Sequence, residues 1–311
     1  VNYIQLSQAI QDYAENTESL FVTNIPTFVK EAEERIYNTV QLPALRKNVF
    51  GTMTQYNGYV SLPDDWLSPF SVAVIDAAGN YNYLLNKDVN FIREAYPNAG
   101  NAYSGMPRFY SLFGPQYTNI NELTLLVGPS PDANYTVEMH YYYYPPTIVQ
   151  GQIATFALPF TSGSGYTNGV YSNVPLTTSS TNGSNATATL QIVGGNVVTC
   201  TLTNGGSLYT AGNVLSFDAN AMGAGSGTGF SITVATVSNP TGTSWLGDNY
   251  DPALFYGAMR EAMIFMKGEQ DMVAYYEQKY QEAIQQLIRL GAGLERGDTY
   301  RNGQAKIVVN P

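Results

Sequence analysis

The sequence predicts an α+β protein: a helical bundle of N- and C-terminal helices with a small β-sandwich or barrel, plus an inserted all-β module. Three observations predict it. Apolar residues recur at helical spacing near both ends, and short alternating runs bounded by turn residues lie between them. From Met139 to Gly247 the only charged residue is Asp218, with His140 counted neutral, whereas an ordinary domain is ~25% charged. That charge boundary divides the chain into a framework of residues 1–150 and 248–291, an inserted Gly/Ser/Thr-rich β domain of 151–247, and an extended C-terminal arm of 292–311.

The elements follow in order. Tyr3, Leu6, Ile10 and Tyr13 fall at spacings of three and four and predict a helix over 3–15. A second helix is expected from Asn24, which can cap it, with Pro26 in the first turn, where a missing N–H costs nothing. Phe28, Val29, Ala32, Ile36 and Val40 form its apolar stripe, and Glu31 and Arg35 are an i,i+4 pair on its wet side. Val49–Thr54 and Tyr59–Leu62 flank Asn57-Gly58, a hairpin signal because both turn positions favour positive φ. Ser71–Ile75 and Tyr81–Leu85 bracket a second turn at Ala77–Asn80. Asp88–Ala95 reads as one or two helical turns, and further strands are expected at Arg108–Phe113, Leu123–Val127 and Thr136–Tyr144.

Within 151–247, Tyr166-Thr167-Asn168-Gly169 matches Tyr209-Thr210-Ala211-Gly212, a degenerate internal repeat. Strands are expected at Thr187–Val193, Val197–Leu202, Val214–Phe217 and Phe230–Val237, because β-branched runs this regular favour a folded module. In the last third, Asp251 caps a helix with Pro252 at its first position and a stripe of Leu254, Phe255, Ala258, Ala262, Met263 and Met266. Gly268 breaks it. A second run, Asp271–Leu290, buries Val273, Tyr276, Tyr280, Ile284, Leu287 and Ile288 and ends at Gly291 as a C-cap.

Composition excludes several function classes. The net charge of −10 argues against free-standing nucleic-acid binding, which needs Lys and Arg on phosphates. One cysteine, Cys200, permits no intrachain disulfide. No apolar run approaches the roughly 20 residues of a membrane-spanning helix. The single histidine, His140, has no partners at catalytic or metal-ligand spacing, so it is expected to be structural, and Cys200 is expected as a small side chain in a strand. Asp64-Asp65 beside Trp66 reads as a turn with the indole packed in the sandwich. The clusters Gly163/Gly165 and Gly223/Gly225/Gly227/Gly229 do not open a helix with Lys-Ser/Thr, as a phosphate loop would. No catalytic residue, metal site or cofactor is expected. Tyr141–Tyr144 should alternate between core and an outward, interface-forming side.

Several stretches, in order, carry a family resemblance. They are Phe28-Val29-Lys30-Glu31-Ala32-Glu33-Glu34-Arg35-Ile36, Leu62-Pro63-Asp64-Asp65-Trp66 and Gly105-Met106-Pro107-Arg108-Phe109-Tyr110, then Gly128–Tyr135, Asp251–Ala258 and Ala274–Tyr280. Over about two thirds of its length the chain resembles the head-to-tail adaptor (connector) proteins of tailed bacteriophages. The insertion, with its Gly-x-Tyr-Thr-x-Gly repeats, resembles modules of cyanophage-like tail and fibre proteins.

The resemblance implies a non-enzymatic virion protein at the head-to-tail interface. Copies would form a homo-oligomeric ring of twelve-fold symmetry, dock the portal protein, and meet tail nozzle, tube or fibre proteins. DNA would pass through during ejection without specific binding, and no membrane is involved. Acidic candidates for the channel surface are Glu261, Glu269 and Asp271. The arm is expected to grip the portal through Arg296, Arg301 and Lys306 and the apolar, β-prone Ile307, Val308 and Val309. The alternative is a receptor-binding or tail-fibre protein that recognises host glycan through the β insertion; the helical ends count against it.

Overall fold

The structure, a computed structural model, describes residues 1–97, 103–115, 123–178, 183–220 and 223–295, with 293–295 described by backbone only. It is an α+β fold in two units. One comprises Val1–Val40 with Pro146–Gly293, and the described part of the other centres on Gln41–Pro145. The charge-poor β module thus groups with the terminal helices, and the sandwich of 41–145 stands as its own unit.

Helix α1 (Tyr3–Ala14) opens on a capping box. Asn2 accepts from the Gln5 N–H at 2.9 Å, and the Gln5 side chain accepts from the Asn2 N–H at 3.1 Å. Tyr3, Leu6 and Ile10 are buried as their spacing demands, while Tyr13 stays exposed. Helix α2 (Ser19–Thr39) starts more than a turn before Asn24, and Pro26 lies inside it. Phe21 and Ile25 extend the apolar stripe N-terminally and are both buried, which offsets the interior proline. The Asn24 amide donates back to the Leu20 carbonyl at 2.7 Å, so it serves the helix interior and not its start.

The second unit is a sandwich of two four-stranded sheets. Its strands are β1 (Arg46–Met53), β2 (Tyr59–Ser61), β3 (Trp66–Ile75), β4 (Tyr81–Tyr83), β5 (Leu85–Asn86), β6 (Phe109–Pro115), β7 (Leu123–Gly128) and β8 (Tyr135–Tyr143), with helix α3 (Val89–Ala95) after β5. The orders are β1-β8-β3-β4 and β2-β7-β6-β5. β3 and β4 form the expected hairpin, Ile75 opposite Tyr81, around a turn held by the Asp76 carboxylate. The hairpin expected at Asn57-Gly58 does not form. β1 pairs with β8 and β2 with β7, so this turn carries the chain from one sheet to the other. Tyr56 N–H donates to the Pro131 carbonyl and Val127 N–H to that of Gly58, so the turn's hydrogen bonds go to other loops and strands. Val137, Met139 and Tyr141 of β8 point into the core, where Tyr141 stacks on Trp66 at 5.0 Å and donates to Asp65 at 2.8 Å. His140, on the other face, meets the edge of Phe70.

The β module contains β9 (Gln152–Ser164), β10 (Gly169–Pro175), β11 (Thr177–Thr178), β12 (Ser184–Val193), β13 (Asn196–Ser207), β14 (Val214–Ser216) and β15 (Thr228–Ser238). Its sheets, β10-β12-β13 and β11-β14-β15-β9, reveal what the sequence repeat encodes. β9, β10 and β12 form one half; β13, β14 and β15 form the other in the same order. Each half lends its first strand to the other's sheet, so the halves are intertwined; the two-residue β11, between β10 and β12, has no counterpart in the second half.

Tyr166 and Tyr209 lock this arrangement. Both are buried in the shared core. Each hydroxyl accepts a backbone N–H from the opposite half: Phe230 to Tyr166 at 3.0 Å, and Ala186 to Tyr209. Three residues before each tyrosine, Gly163 and Gly206 take positive φ of 65° and 61°. Just before β15 and β12, Gly227 and Gly183 lie so close to the rings that a Cβ would sit 2.2 Å from a Tyr166 carbon and 2.4 Å from a Tyr209 carbon.

Three helices complete the first unit: α4 (Trp245–Asn249), capped by Ser244, α5 (Asp251–Phe265) and α6 (Gln270–Glu295). α5 ends in a Schellman arrangement, with Gly268 N–H donating to Met263 at 2.9 Å. The left-handed residue there is Lys267, at φ 54°. α6 runs through Gly291, the expected cap, to Glu295, so its last turn takes the first residues assigned to the arm. The remainder of the arm lies outside the described residues.

Gly227→Ala and Gly183→Ala should each destabilise the protein by about 1–3 kcal/mol through overpacking against a buried ring. Urea unfolding of the two variants should give similar losses. A large loss for one and none for the other would break the equivalence of the halves.

Candidate functional site

Helices α2, α5 and α6 bring together the densest group of charges in the described structure. Arg35 of α2 reaches Glu261 of α5 at 3.1 Å and Glu277 of α6 at 3.4 Å. Arg260 pairs with the same two carboxylates. The Arg35 guanidinium also lies 4.8 Å from the centre of the Tyr280 ring. Arg35 therefore turns inward between helices and does not pair with Glu31 as the i,i+4 spacing suggested. Burial opposes the ionisation of Glu277, but the Gln281 amide, Arg35 and Arg260 outweigh it and hold the carboxyl below its ordinary range.

A close helix contact makes this possible. A Cβ on Gly257 would fall 2.9 Å from that of Ala32 and 3.2 Å from the Tyr280 ring. With no side chain there, α5 approaches α2 closely enough for the charges to meet.

Next to Arg35 in sequence, Glu33 is 3% exposed. Its Oε1 accepts the Ile148 N–H at 2.8 Å, and the Thr147 hydroxyl also bonds it. Burial raises its carboxyl to about 7; those two donors and Lys30 pull the other way, and Glu34 adds a small push upward. Sequence reading missed this residue. The signal was present, because Glu33 sits between Val29 and Ile36 at i+4 and i−3, on the apolar stripe.

On the outer side a cleft of about 490 Å³ opens, lined by Glu31, Glu34, Arg35, Glu261 and Tyr280 among others. Burial and the neighbouring Glu261 and Glu34 raise the Glu31 carboxyl. Of the three acidic channel candidates, Glu261 belongs to the ion-pair network and its side chain is only 13% exposed. Glu269 and Asp271 are exposed, around the start of α6. Large apolar side chains are also exposed there: Ile264 and Phe265 at the end of α5, and Met272 and Tyr275 in the first turns of α6. The arm residues Arg296, Arg301, Lys306, Ile307, Val308 and Val309 lie outside the described residues.

Among the described residues, no group of three or more His, Cys, Asp or Glu could hold a metal ion. Burial pushes the Cys200 thiol up to about 11, which keeps it protonated at neutral pH. No helix is long and apolar enough to cross a membrane among the described residues. In comparisons with known proteins, the model of the SU10 adaptor protein family matches residues 1–170. No curated protein matches the chain.

Folding moves Glu33 from the ordinary carboxylate range to about 7. Its contribution is most favourable below the unfolded value and is lost as pH rises through about 7. Glu33→Gln keeps an acceptor for Ile148 and cannot ionise. It should match the parent near pH 5 and be more stable by roughly 2–3 kcal/mol at pH 8. Thermal unfolding across that range tests this; parallel pH profiles for the two proteins would refute it.

Proposed function

The chain belongs to the SU10 adaptor protein family and so is a structural protein of the phage adaptor kind, and we propose that its copies close into a ring between portal and tail. Twelve copies, as in the resembling connectors, would form part of the DNA conduit. The observation that carries this proposal is the corner between α5 and α6. Ile264, Met272 and Tyr275 remain exposed, and Phe265 is exposed in part while its ring packs on Phe21 and Phe28. Exposed apolar side chains gathered at one place suit burial by another protein. A ring needs a heterologous contact that closes on itself, and a helical corner meeting a different face of the next copy supplies one.

Glu269 and Asp271 beside that corner are proposed to give the channel an acidic stretch that DNA does not adhere to. Glu261 would contribute little, since Arg35 and Arg260 already neutralise it. The β module, with Asp218 as its only charged residue, would contact neighbouring copies or tail proteins. Such contacts weaken little with salt.

Negative-stain imaging and sedimentation of the purified chain, with and without portal, test the proposal. A ring or collar is expected. Met272→Asp with Tyr275→Asp should leave the thermal midpoint within a few degrees and abolish assembly. A slender trimer would favour the tail-fibre alternative, and a ring unaffected by both substitutions would place the copy-to-copy contact elsewhere.

A further inference from the structure

We propose that residues 306–310, at the end of the chain's own C-terminal segment, add a strand to the free edge of β1 and close the cleft between β1 and β2. The inference goes beyond the ring reading and does not depend on it.

The sandwich is open along one side. β1 and β2 are outer strands, one in each sheet. Between them lies a cleft of about 370 Å³, lined by Val49, Phe50, Tyr59, Val60, Leu62 and Met139 among others. The other outer strands, β2, β4 and β5, have two or three residues, whereas β1 has eight. A long edge presents a row of unpaired N–H and C=O groups, which proteins guard with charges, prolines or bulges. β1 lacks these guards along the cleft. Its ladder with β8 runs from Arg46 to Met53 without a register shift. Its two charges stand at its start and turn onto their own sheet. Arg46 lies 3.8 Å from the centre of the Phe70 ring, and Lys47 pairs with Asp65. From Val49 to Met53 the strand has no charge and no proline. Among the described residues, no backbone–backbone hydrogen bond joins Lys47–Met53 to anything but β8. Phe50 stands 59% exposed beside the open edge. An unguarded edge along an apolar cleft fits an extended segment, bound by main-chain hydrogen bonds and by alternate side chains.

The chain supplies such a segment. Residues 296–311 follow the last described residue, and Ile307-Val308-Val309 is their one run of strand formers, flanked by Lys306 and Asn310. Side chains alternate across a strand. With Ile307 and Val309 turned into the cleft beside Val49, Val308 falls on the outer face next to Phe50, and Lys306 and Asn310 reach water. The run therefore places apolar groups against both the cleft and its rim. It lies at the chain terminus, so it can join an edge without threading a loop. Residues 296–305 tether it, and when extended they span up to about 34 Å. Within its span, such a tether holds the run at an effective concentration on the order of millimolar. In dilute solution that favours the chain's own edge over a second copy or a portal, and both of these become outcomes of the test.

Two experiments use the chain in dilute solution without portal. In the first, amide hydrogen exchange is followed along Lys47–Met53. Exchange should be at least about tenfold slower in the parent than in a full chain carrying Ile307→Asp and Val309→Asp, with the central strand β8 unchanged. A chain ending at Ala305 should exchange as fast as that variant, and a peptide of residues 304–311 should restore its slow exchange. In the second, Thr52→Cys and Asn310→Cys are placed in one chain with Cys200→Ser and treated with a short bismaleimide. Thr52 is exposed and lines the cleft. A link within one chain is expected, seen as a monomer on a denaturing gel and located by peptide mapping. Equal exchange in all the proteins, slow exchange that appears only when portal is added, or links that form only between separate chains would overturn the proposal.

Discussion

One turn of α2 determines where three other parts of its unit can go. Ala32 lets α5 come close, because Gly257 opposite it has no side chain. Glu33, on the buried side, fixes the backbone at Ile148, where the chain enters the β module. Arg35 reaches between α5 and α6 and holds a carboxylate from each. Exposed ion pairs contribute little singly. This group is partly buried, shares two acids between two guanidiniums, and rests on the Tyr280 ring, so its value lies in fixing the angles of three helices. Removing one member would leave a half-buried charge without its partner, which costs more than the pair contributes.

The β module solves a different problem with different means. It has one charged side chain, so neither ion pairs nor a charged surface can set its register. Register is set by shape and by two hydroxyls. Each tyrosine crosses from its own half to a backbone N–H of the other, and a glycine faces each ring because any side chain would collide. Since each half donates a strand to the other's sheet, neither half has a complete core alone. The module also joins the helices through local bonds: Tyr3 N–H donates to the Gly242 carbonyl at 2.8 Å, and Asn185 to that of Thr23 at 3.2 Å. These contacts agree with its grouping with the terminal helices.

What the sequence disclosed and what it hid follow from the range of the interactions. The helix at 3–14, the helix at Asp251 and the hairpin at Asp76–Asn80 rest on local signals and were legible, although Asp251 lies inside its helix and Tyr250 takes the cap position without a side-chain bond. Asn57-Gly58 carries the strongest local hairpin signal in the chain, but the sandwich closes by pairing β1 with β8 and β2 with β7, contacts that no short window contains. Pro26 and Gly291 read as helix boundaries from propensity alone. Burial of Phe21 and Ile25 overrides the first, and α6 simply continues past the second. β9 and β10 escaped notice because Thr, Ser, Gly and Asn dilute their alternation. At the site, Arg35 could be assigned only to its helical neighbour, because α5 and α6 lie more than 200 residues away in sequence. The arm residues carry sequence expectations that the described structure does not touch.

The division of charge across the chain now has a physical sense. Within the first unit, carboxylates and guanidiniums are concentrated on or beside the helices, where they neutralise one another between elements or remain exposed beside apolar corners. The β module is left with contacts that salt scarcely alters. In the proposed ring these two kinds of surface would serve two demands. Helical faces that mix apolar anchors with unpaired carboxylates can recognise a neighbour by both shape and charge, which favours one register of closure over others. An uncharged, internally locked β surface can adhere to further proteins without competing for those same charges. Selectivity among copies and adhesion to other components would then depend on separate chemistries, and a substitution that alters one need not disturb the other.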